Sequence, residues 1–515
     1  MPVRLKRHGY FDKLKRVIAR FPPDLVGATL GAAVAVALWY PALSSPLWQE
    51  DYVWLAQARQ GIRWPGVGNT LFGGGGLFWR PLSVGIYWRL AVALTHGHPA
   101  ALHAFGLGIH FLAFTAVGLF GARLAHVLMG ADFSRMRAAA AGAFFYGAHT
   151  VHFLPTHWAS CRQQTLLVFF EAVALTAWLA LIRTSGPRPQ QKFRIWETLG
   201  VCICAAVGAF GSTEAALTLP LLGAIVWSAI PPSQRPQRLT SSLPATAAVV
   251  GVVSVALAWA VIRSQLVVPA APESPYALKV GWNMVRNFVG LLAFAVGLPR
   301  EGVRLLQTPG SAAEGVAAIA GCILMQAGTI GALAGVARRY RLKLVDPQRA
   351  LLAWACFTLV ALAPYVPLAR QCYAYYVLPA LLPYAVLAAL AGGGAPLRVL
   401  AVPATLAIAA AAVMTWVEHT APYPATLATA RQAAETRASL REQFRRLPPT
   451  DRVVIECGDD RLWLFMGWEP GIADALGIEP RRIVRVKETT APQSHSPRAR
   501  LLHAAPPPTV LRTGQ

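Results

Sequence analysis

Eleven apolar runs, most of them close to the length of a membrane-crossing helix, narrow what this chain can fold into more than any other feature. A hydrocarbon core of about 30 Å is crossed by roughly 20 apolar residues in an α-helix, and backbone inside it must satisfy its own hydrogen bonds. The runs lie near 25–43, 100–128, 138–156, 164–182, 196–211, 213–230, 243–262, 312–337, 350–366, 374–391 and 397–416. They predict an α-helical integral membrane protein with about 11 transmembrane helices. Composition agrees: 55% of the 515 residues are hydrophobic and 14% charged, against about 25% charged in soluble domains. Seven cysteines in a chain of this length do not make a secreted disulfide scaffold.

Segments 81–95 and 283–298 are shorter and each carries an internal arginine, Arg89 or Arg286. Both are expected to lie in the interface instead of crossing it. The net charge of +24 would suit a nucleic-acid binder if it were clustered on one soluble face. It is not: with the N-terminal arm, 1–24, placed in the cytoplasm, 21 of the 47 basic residues fall in inside loops, as the positive-inside rule asks. That arm holds seven Lys/Arg and no small-residue cleavage site, so the first run is expected to be retained.

On this topology the outer face receives the loop 44–99, the turn 157–163, the loop 263–311 and everything after Glu418. Residues 25–417 form the membrane domain and 418–490 a small periplasmic α/β appendage. In the appendage, Thr426–Arg446 reads as a helix, with strands at Arg452–Glu456 and Arg482–Val486. From 491 to 515 a disordered tail is expected.

Polar clusters gather on the outer side. Glu50 and Asp51 are adjacent carboxylates, and mutual repulsion can leave one of them a base near neutral pH; favouring a helix N-terminus explains them equally. Gly73–Gly76 is a weak phosphate-loop signal. Arg80 before Pro81 can grip a phosphate bidentately or anchor the interface beside Trp79. His103 and His110 share a helix face. His149, His152, Trp158, Arg162 and Gln163 crowd the end of the third run, Glu214 opens the sixth, and Arg370, Tyr373 and Tyr375 open the tenth. Glu171 lies inside the fourth run, where a carboxyl is costly. No metal-ligand spacing stands out.

In this order the segments resemble the GT-C fold glycosyltransferases, in particular the protein O-mannosyltransferase-like branch with the transmembrane and tetratricopeptide-repeat mannosyltransferases, here without the repeats. The likeness rests on Glu50-Asp51, Arg80-Pro81-Leu82, His103 with His110, then His149, His152, Trp158 and Arg162, then Ser212, Glu214 and Pro220, and finally Tyr373, Tyr375 and Pro379. Thr150 stands where the pattern has Pro, Leu154 where it has Glu, Thr213 where it has Lys, and Cys372 where it has Arg, with Arg370 displaced by two.

The resemblance implies a GT-C-like bundle that transfers a sugar from a polyprenyl-phosphate donor to a glycan or protein acceptor on the periplasmic face of a bacterial inner membrane, with inversion. Asp51 or Glu50 would be the general base. Arg80, Arg162, Arg370, Tyr373 and Tyr375 would hold the donor phosphate and lipid, and His103, His110, His149, His152, Trp158, Gln163 and Glu214 would line the pocket. It brings no cofactor and no nucleic-acid partner. A transporter would need repeats and midplane charges, and a noncatalytic scaffold of a glycan pathway is the other alternative.

Overall fold

The computed structural model describes residues 21–59, 79–129, 133–183, 189–232, 243–267, 270–272, 274, 276–307, 310–340, 344, 346–419, 425–444, 452–486 and 498–502. The basic arm to residue 20, the glycine run Gly73–Gly76 and the chain beyond 502 lie outside them.

A helix occurs at each apolar run. Among the described residues six segments are long and apolar enough to cross a membrane: Pro99–Met129, Ala159–Ile182, Ile195–Ser212, Pro244–Leu266, Ala312–Arg339 and Leu397–Glu418. Pro23–Leu38, Glu214–Ala229 and Pro379–Gly394 are apolar but shorter. The helices in chain order begin with α1 (Pro23–Leu38), α2 (Glu50–Arg59), α3 (Tyr87–Thr95), α4 (Pro99–Met129) and α5 (Arg135–Gly147). Next come α6 (Arg162–Arg183), α7 (Pro189–Ser212), α8 (Leu219–Ala229), α9 (Leu243–Leu266), α10 (Trp282–Ala295) and α11 (Arg300–Leu306). The membrane domain ends with α12 (Ala312–Arg339), α13 (Pro347–Leu362), α14 (Leu382–Gly394) and α15 (Ala401–His419).

Small residues let the central helices approach closely. A Cβ at Gly27 or Gly31 would stand 2.0 Å or 2.2 Å from the Met136 or Ala140 carbonyl oxygen of α5, the backbone approach that glycines four apart permit between membrane helices. Trp39 closes the same seam by donating to the Gly147 carbonyl at 2.7 Å.

Three of the expected spans are interrupted at one end. The run 138–156 is helical only to Gly147, then becomes a tight 3₁₀ turn at Thr150–His152 and a short helix, Phe153–His157. Glu214–Thr218 precedes α8, and Ala374–Val377 with Pro379–Leu381 precede α14, again as 3₁₀ turns. Pro155, Pro220, Pro379 and Pro383 lack the amide that a continuous helix would use. Irregular backbone at such depth is sustained where protein buries it or a cavity meets it. Here it carries the candidate site.

The two segments expected at the interface form a π-helical turn, Pro81–Ile86, running into α3, and α10 of 14 residues. Each exposes one apolar stripe: Ile86, Leu90 and Leu94, and Val285, Val289 and Leu292. Spacings of three and four keep each stripe on one face.

The C-terminal unit comprises α16 (Ala425–Gln443), β1 (Arg452–Glu456), α17 (Asp460–Phe465), α18 (Trp468–Leu476), β2 (Ile483–Val486) and β3 (Arg498–Leu502). The sheet order is β2-β1-β3, with β1 parallel to β2 and antiparallel to β3. A parallel pair needs a crossover, supplied by α17 and α18, whose start Asp459 caps by accepting from the Arg461 and Leu462 amides. Of the tail expected from 491, the described residues are 498–502, and they form β3. The far edge of β1 offers unpaired backbone groups, and residues 498–502 pair with all five of its positions.

Candidate functional site

Loop one presents its carboxylates through a tight turn. Asp51 donates its amide to the Trp48 carbonyl at 3.0 Å, and its Oδ2 accepts from the Trp48 amide at 3.2 Å. Its Oδ1 accepts from the Ser160 amide at 2.7 Å and from Ser160 Oγ at 2.5 Å. Asp51 is fully buried; its Oδ1 ties the head of α2 to the turn before α6, and its Oδ2 closes the turn at that head. Burial pushes its carboxyl up to about 6, against the Ser160 and Trp48 hydrogen bonds and nearby Arg162.

Glu50 is the other half of the pair and differs in kind. Its Oε2 is enclosed with no hydrogen-bond partner among the described residues. Desolvation, with a smaller contribution from Asp51, raises its carboxyl to about 7. Cys161, Tyr276 and Tyr373 lie within its electrostatic reach.

Arg80 opens the π-helical turn, which Ser83 pins to α7 by donating to the Ser212 carbonyl at 2.6 Å. Its guanidinium grips Glu214 Oε2 through Nε at 2.8 Å and Nη2 at 2.7 Å, and Nη1 donates to Gln163 Oε1 at 2.6 Å. Arg263 stands 3.9 Å from Glu214 Oε1. Two arginines thus share one carboxylate and leave a net positive charge. Tyr276 lies within electrostatic reach of both Glu50 and Arg80 and joins the two halves.

The tyrosines ahead of α14 form the adjoining wall. Tyr373 stacks on Tyr375 at 5.2 Å and meets Trp158 edge-on at 6.3 Å. Arg300 lies over the Tyr373 ring at 5.4 Å, within cation–π range. Tyr376 donates to Gln371 Oε1 at 3.0 Å. The expected residues that converge here are Glu50, Asp51, Arg80, Trp158, Gln163, Glu214, Tyr373 and Tyr375. Arg263, Tyr276, Arg300 and Gln371 join them without having been singled out. Arg263 lies in the last turn of α9 and Arg300 opens α11, and neither stood in a motif that would have marked it.

Other expected residues stand elsewhere. Arg162 was expected at the donor phosphate, yet it is enclosed between α3, α4 and α6. Nη1 donates to Tyr87 Oη at 2.8 Å and to the Leu102 carbonyl at 3.0 Å, and Nη2 meets His103 Nδ1 at 3.0 Å. Arg370 is exposed, and the described contacts join it to none of these side chains. His110 bonds the Gly106 carbonyl and Thr165, and His149 bonds the Ala295 carbonyl. His152 packs on Phe114 at 4.7 Å and Tyr146 at 4.9 Å. These histidines are buried and bonded or packed among themselves and the surrounding helices, and the described contacts join none of them to the side chains of the mouth. Among the described residues no three His, Cys, Asp or Glu side chains converge to hold a metal. Glu171 is fully buried, with neither carboxyl oxygen hydrogen-bonded among the described residues.

Two cavities are lined by residues other than those of the mouth. An apolar one of about 170 Å³ lies among α6, α7, α8 and α9, lined by Trp178, Leu219, Trp227 and Val252, and so reaches the first residue of α8. The other, of about 600 Å³, lies between α2, α3 and α18 and is lined by Gln57, Arg59, Arg89 and Asp474.

No protein-family profile and no curated protein sequence matches this chain. Solved structures do. The crystal structure of ArnT from Cupriavidus metallidurans bound to undecaprenyl phosphate superposes with a TM-score of 0.51 over 88% of each chain, at 13% sequence identity. The apo structure of the same protein gives a TM-score of 0.46 over 88% of each chain, at 15% identity. The first likeness shows the fold, a GT-C-like helical membrane bundle. It does not single out the protein O-mannosyltransferase branch.

Proposed function

We propose that this protein is a membrane glycosyltransferase. It moves a sugar from a polyprenyl-phosphate donor to an acceptor hydroxyl on the periplasmic face, with inversion, and Glu50 is the base. The observation that carries the reading is the arrangement of the mouth, where a carboxylate with an uncommitted oxygen shares Tyr276 with the arginine pair around Glu214. The fold likeness adds support, because that ArnT structure holds undecaprenyl phosphate.

In the proposed reaction, Glu50 takes the proton of the acceptor hydroxyl as its oxygen attacks the anomeric carbon. The bond from that carbon to the phosphate oxygen breaks on the opposite face, which inverts the centre and releases polyprenyl phosphate. Arg80, Arg263 and Arg300 offset the charge gathering on the phosphate. The apolar cavity that reaches Leu219 at the start of α8 suits part of the prenyl chain. Asp51 shapes the turn that presents Glu50 and holds no proton in transit, because both its oxygens are engaged.

The test is transfer from a labelled polyprenyl-phosphate sugar by the protein in lipid nanodiscs, comparing Glu50→Gln and Asp51→Asn. Unchanged transfer by Glu50→Gln would overturn the assignment, and a loss in Asp51→Asn as large as that in Glu50→Gln would move the base to Asp51. The orientation, with a cytoplasmic N-terminus, a periplasmic C-terminus and eleven crossings, is tested by labelling Arg286→Cys and Tyr340→Cys from each side. The proposal places residue 286 outside and residue 340 inside.

A further inference from the structure

The C-terminal α/β unit does not stand apart from loop one; it grips the helix that carries the carboxylates. Arg437 of α16 is buried, and its guanidinium lies 3.7 Å over the Tyr52 ring of α2. Its Nη1 donates to the Met466 carbonyl at 2.9 Å and also to the Gly471 carbonyl. Asp474 of α18 accepts from Arg59 at the end of α2 at 2.6 Å and stands 3.9 Å from Arg437. One carboxylate therefore joins a cation from each side of the seam. Burial pulls the Arg437 guanidinium down to about 10, against Tyr52 and Asp474, so it remains a cation at neutral pH.

The contact reaches the residue before Glu50. Gln49 has φ +49°, in the left-handed region that a residue with a side chain adopts only when its surroundings impose it. Its amide donates to the Phe465 carbonyl at 3.1 Å, and the Phe465 ring meets Trp48 edge-on at 5.7 Å. On the facing side Gly467 and Trp468 are also left-handed, at φ +79° and +40°. A Cβ at Gly467 or Gly471 would come within 2.7 Å or 3.0 Å of Tyr52 Cβ. Two strained turns thus interlock at the start of α2.

We infer that this seam is a positioning latch: the C-terminal unit, through Arg437 and the Phe465 carbonyl, holds the Gln49 turn and so aims the Glu50 carboxylate into the mouth. Arg437 is then a positioning residue for the transfer. The kinetic half rests on the transferase reading, whereas the placement of Glu50 can be measured without it.

The experiment takes the full chain in nanodiscs and compares Arg437→Met, which keeps the bulk and loses the charge, with Tyr52→Leu and Tyr52→Phe. Two quantities are read: kcat with the donor KM, and the pH midpoint of Glu50 labelling by dicyclohexylcarbodiimide, mapped by peptide mass. That reagent attacks the protonated carboxyl. The groups facing Glu50, namely Asp51, Cys161, Tyr276 and Tyr373, are unchanged in every variant. Arg437→Met and Tyr52→Leu are expected to lower kcat at least about tenfold with donor KM within about twofold. They should also move the labelling midpoint down from about 7 by about one unit, as Glu50 swings toward water. Tyr52→Phe keeps the ring and should match the parent in both. An unchanged midpoint in a monodisperse Arg437→Met protein overturns the latch; if that variant does not fold, Tyr52→Leu decides by the same criteria. A midpoint that moves while the parent transfers no sugar leaves the latch standing and overturns the transferase reading instead.

Discussion

The mouth around Glu50 and the buried layer of Arg162 and histidines are equally rich in polar side chains, but they are built to different ends. At the mouth, Arg80 and Glu214 keep 12% and 21% of their side-chain surface and Arg263 keeps 35%, and charges of both signs meet with one carboxylate oxygen left over. In the buried layer, Arg162 is 1% exposed and His103, His110, His149 and His152 at most 1%. There the cation is wrapped by a tyrosine, a carbonyl and an imidazole, and the rings of His110, His152 and His149 pack on Phe114, Tyr146 and Tyr384. The comparison teaches that a polar cluster near a membrane surface is a candidate site when its charges are reachable. Enclosed and bonded inward, the same residue types act as packing.

The sharpest way to break that contrast is at Glu50. Loss of a general base slows transfer by about a thousandfold, so Glu50→Gln should lower kcat by that much with donor KM nearly unchanged. Asp51→Asn should cost about tenfold, since its effect is exerted through the turn. The pH profile carries a sign. Glu50 must be ionised to accept a proton and its carboxyl lies at about 7, so kcat/KM should rise with pH through 7 and level off above it. A rate that falls as pH rises through 7 would make the carboxyl an acid and reverse its role.

Arg80 is next in size. On the proposed reaction, Arg80→Gln removes a cation from the donor phosphate; it leaves Glu214 with Arg263 at 3.9 Å and the Thr213 hydroxyl at 3.4 Å among the described residues. Loss of one such charge-stabilising group costs about a hundredfold in kcat/KM. Arg370→Gln serves as the control, and an equal loss there would return the exposed arginine to the site.

What the sequence told of this contrast followed from its physics. Spans were legible because apolar length is a local property, and Glu50, Arg80 and Glu214 were legible as polar residues at the ends of apolar runs. The breaks at Gly147, Thr218 and Leu381 were harder to see, since prolines mark where a helix can stop and only packing decides where it does. Arg162 misled for a similar reason. It occupies the right register in the chain, but the space beside Gly106 draws its guanidinium inward, and that space exists only once α4 and α6 are packed. Arg300 and Tyr276 lay in a loop without periodicity. β3 needed a partner edge that the tail itself does not encode.

The inward turn of Arg162 can be tested at that glycine. A Cβ on Gly106 would stand 2.0 Å from both Cζ and Nε of Arg162, and a buried guanidinium held by three partners has little freedom to retreat. Overpacking of this kind costs about 2 kcal/mol, so Gly106→Ala should lower the melting temperature measured by intrinsic fluorescence in nanodiscs. Transfer per folded molecule should stay close to the parent if the layer is packing. A selective loss of kcat at unchanged stability would make Arg162 part of the reaction after all.

The smallest effect is expected at His152, and it is the most discriminating for that reason. Neither ring nitrogen makes a well-aligned hydrogen bond among the described residues, although the Tyr146 backbone lies within reach, while the ring itself is packed edge-on against Phe114, Tyr146 and, at 6.1 Å, His110. An enclosed polar atom without a partner carries a desolvation cost that an apolar ring of like shape does not, so the exchange can be neutral or stabilising. His152→Phe should therefore change stability by less than about 1 kcal/mol and leave kcat and donor KM within about twofold. If transfer instead falls tenfold or more with the melting temperature unchanged, the imidazole meets the substrate in a state that opens the layer. The boundary between mouth and packing would then have to be redrawn.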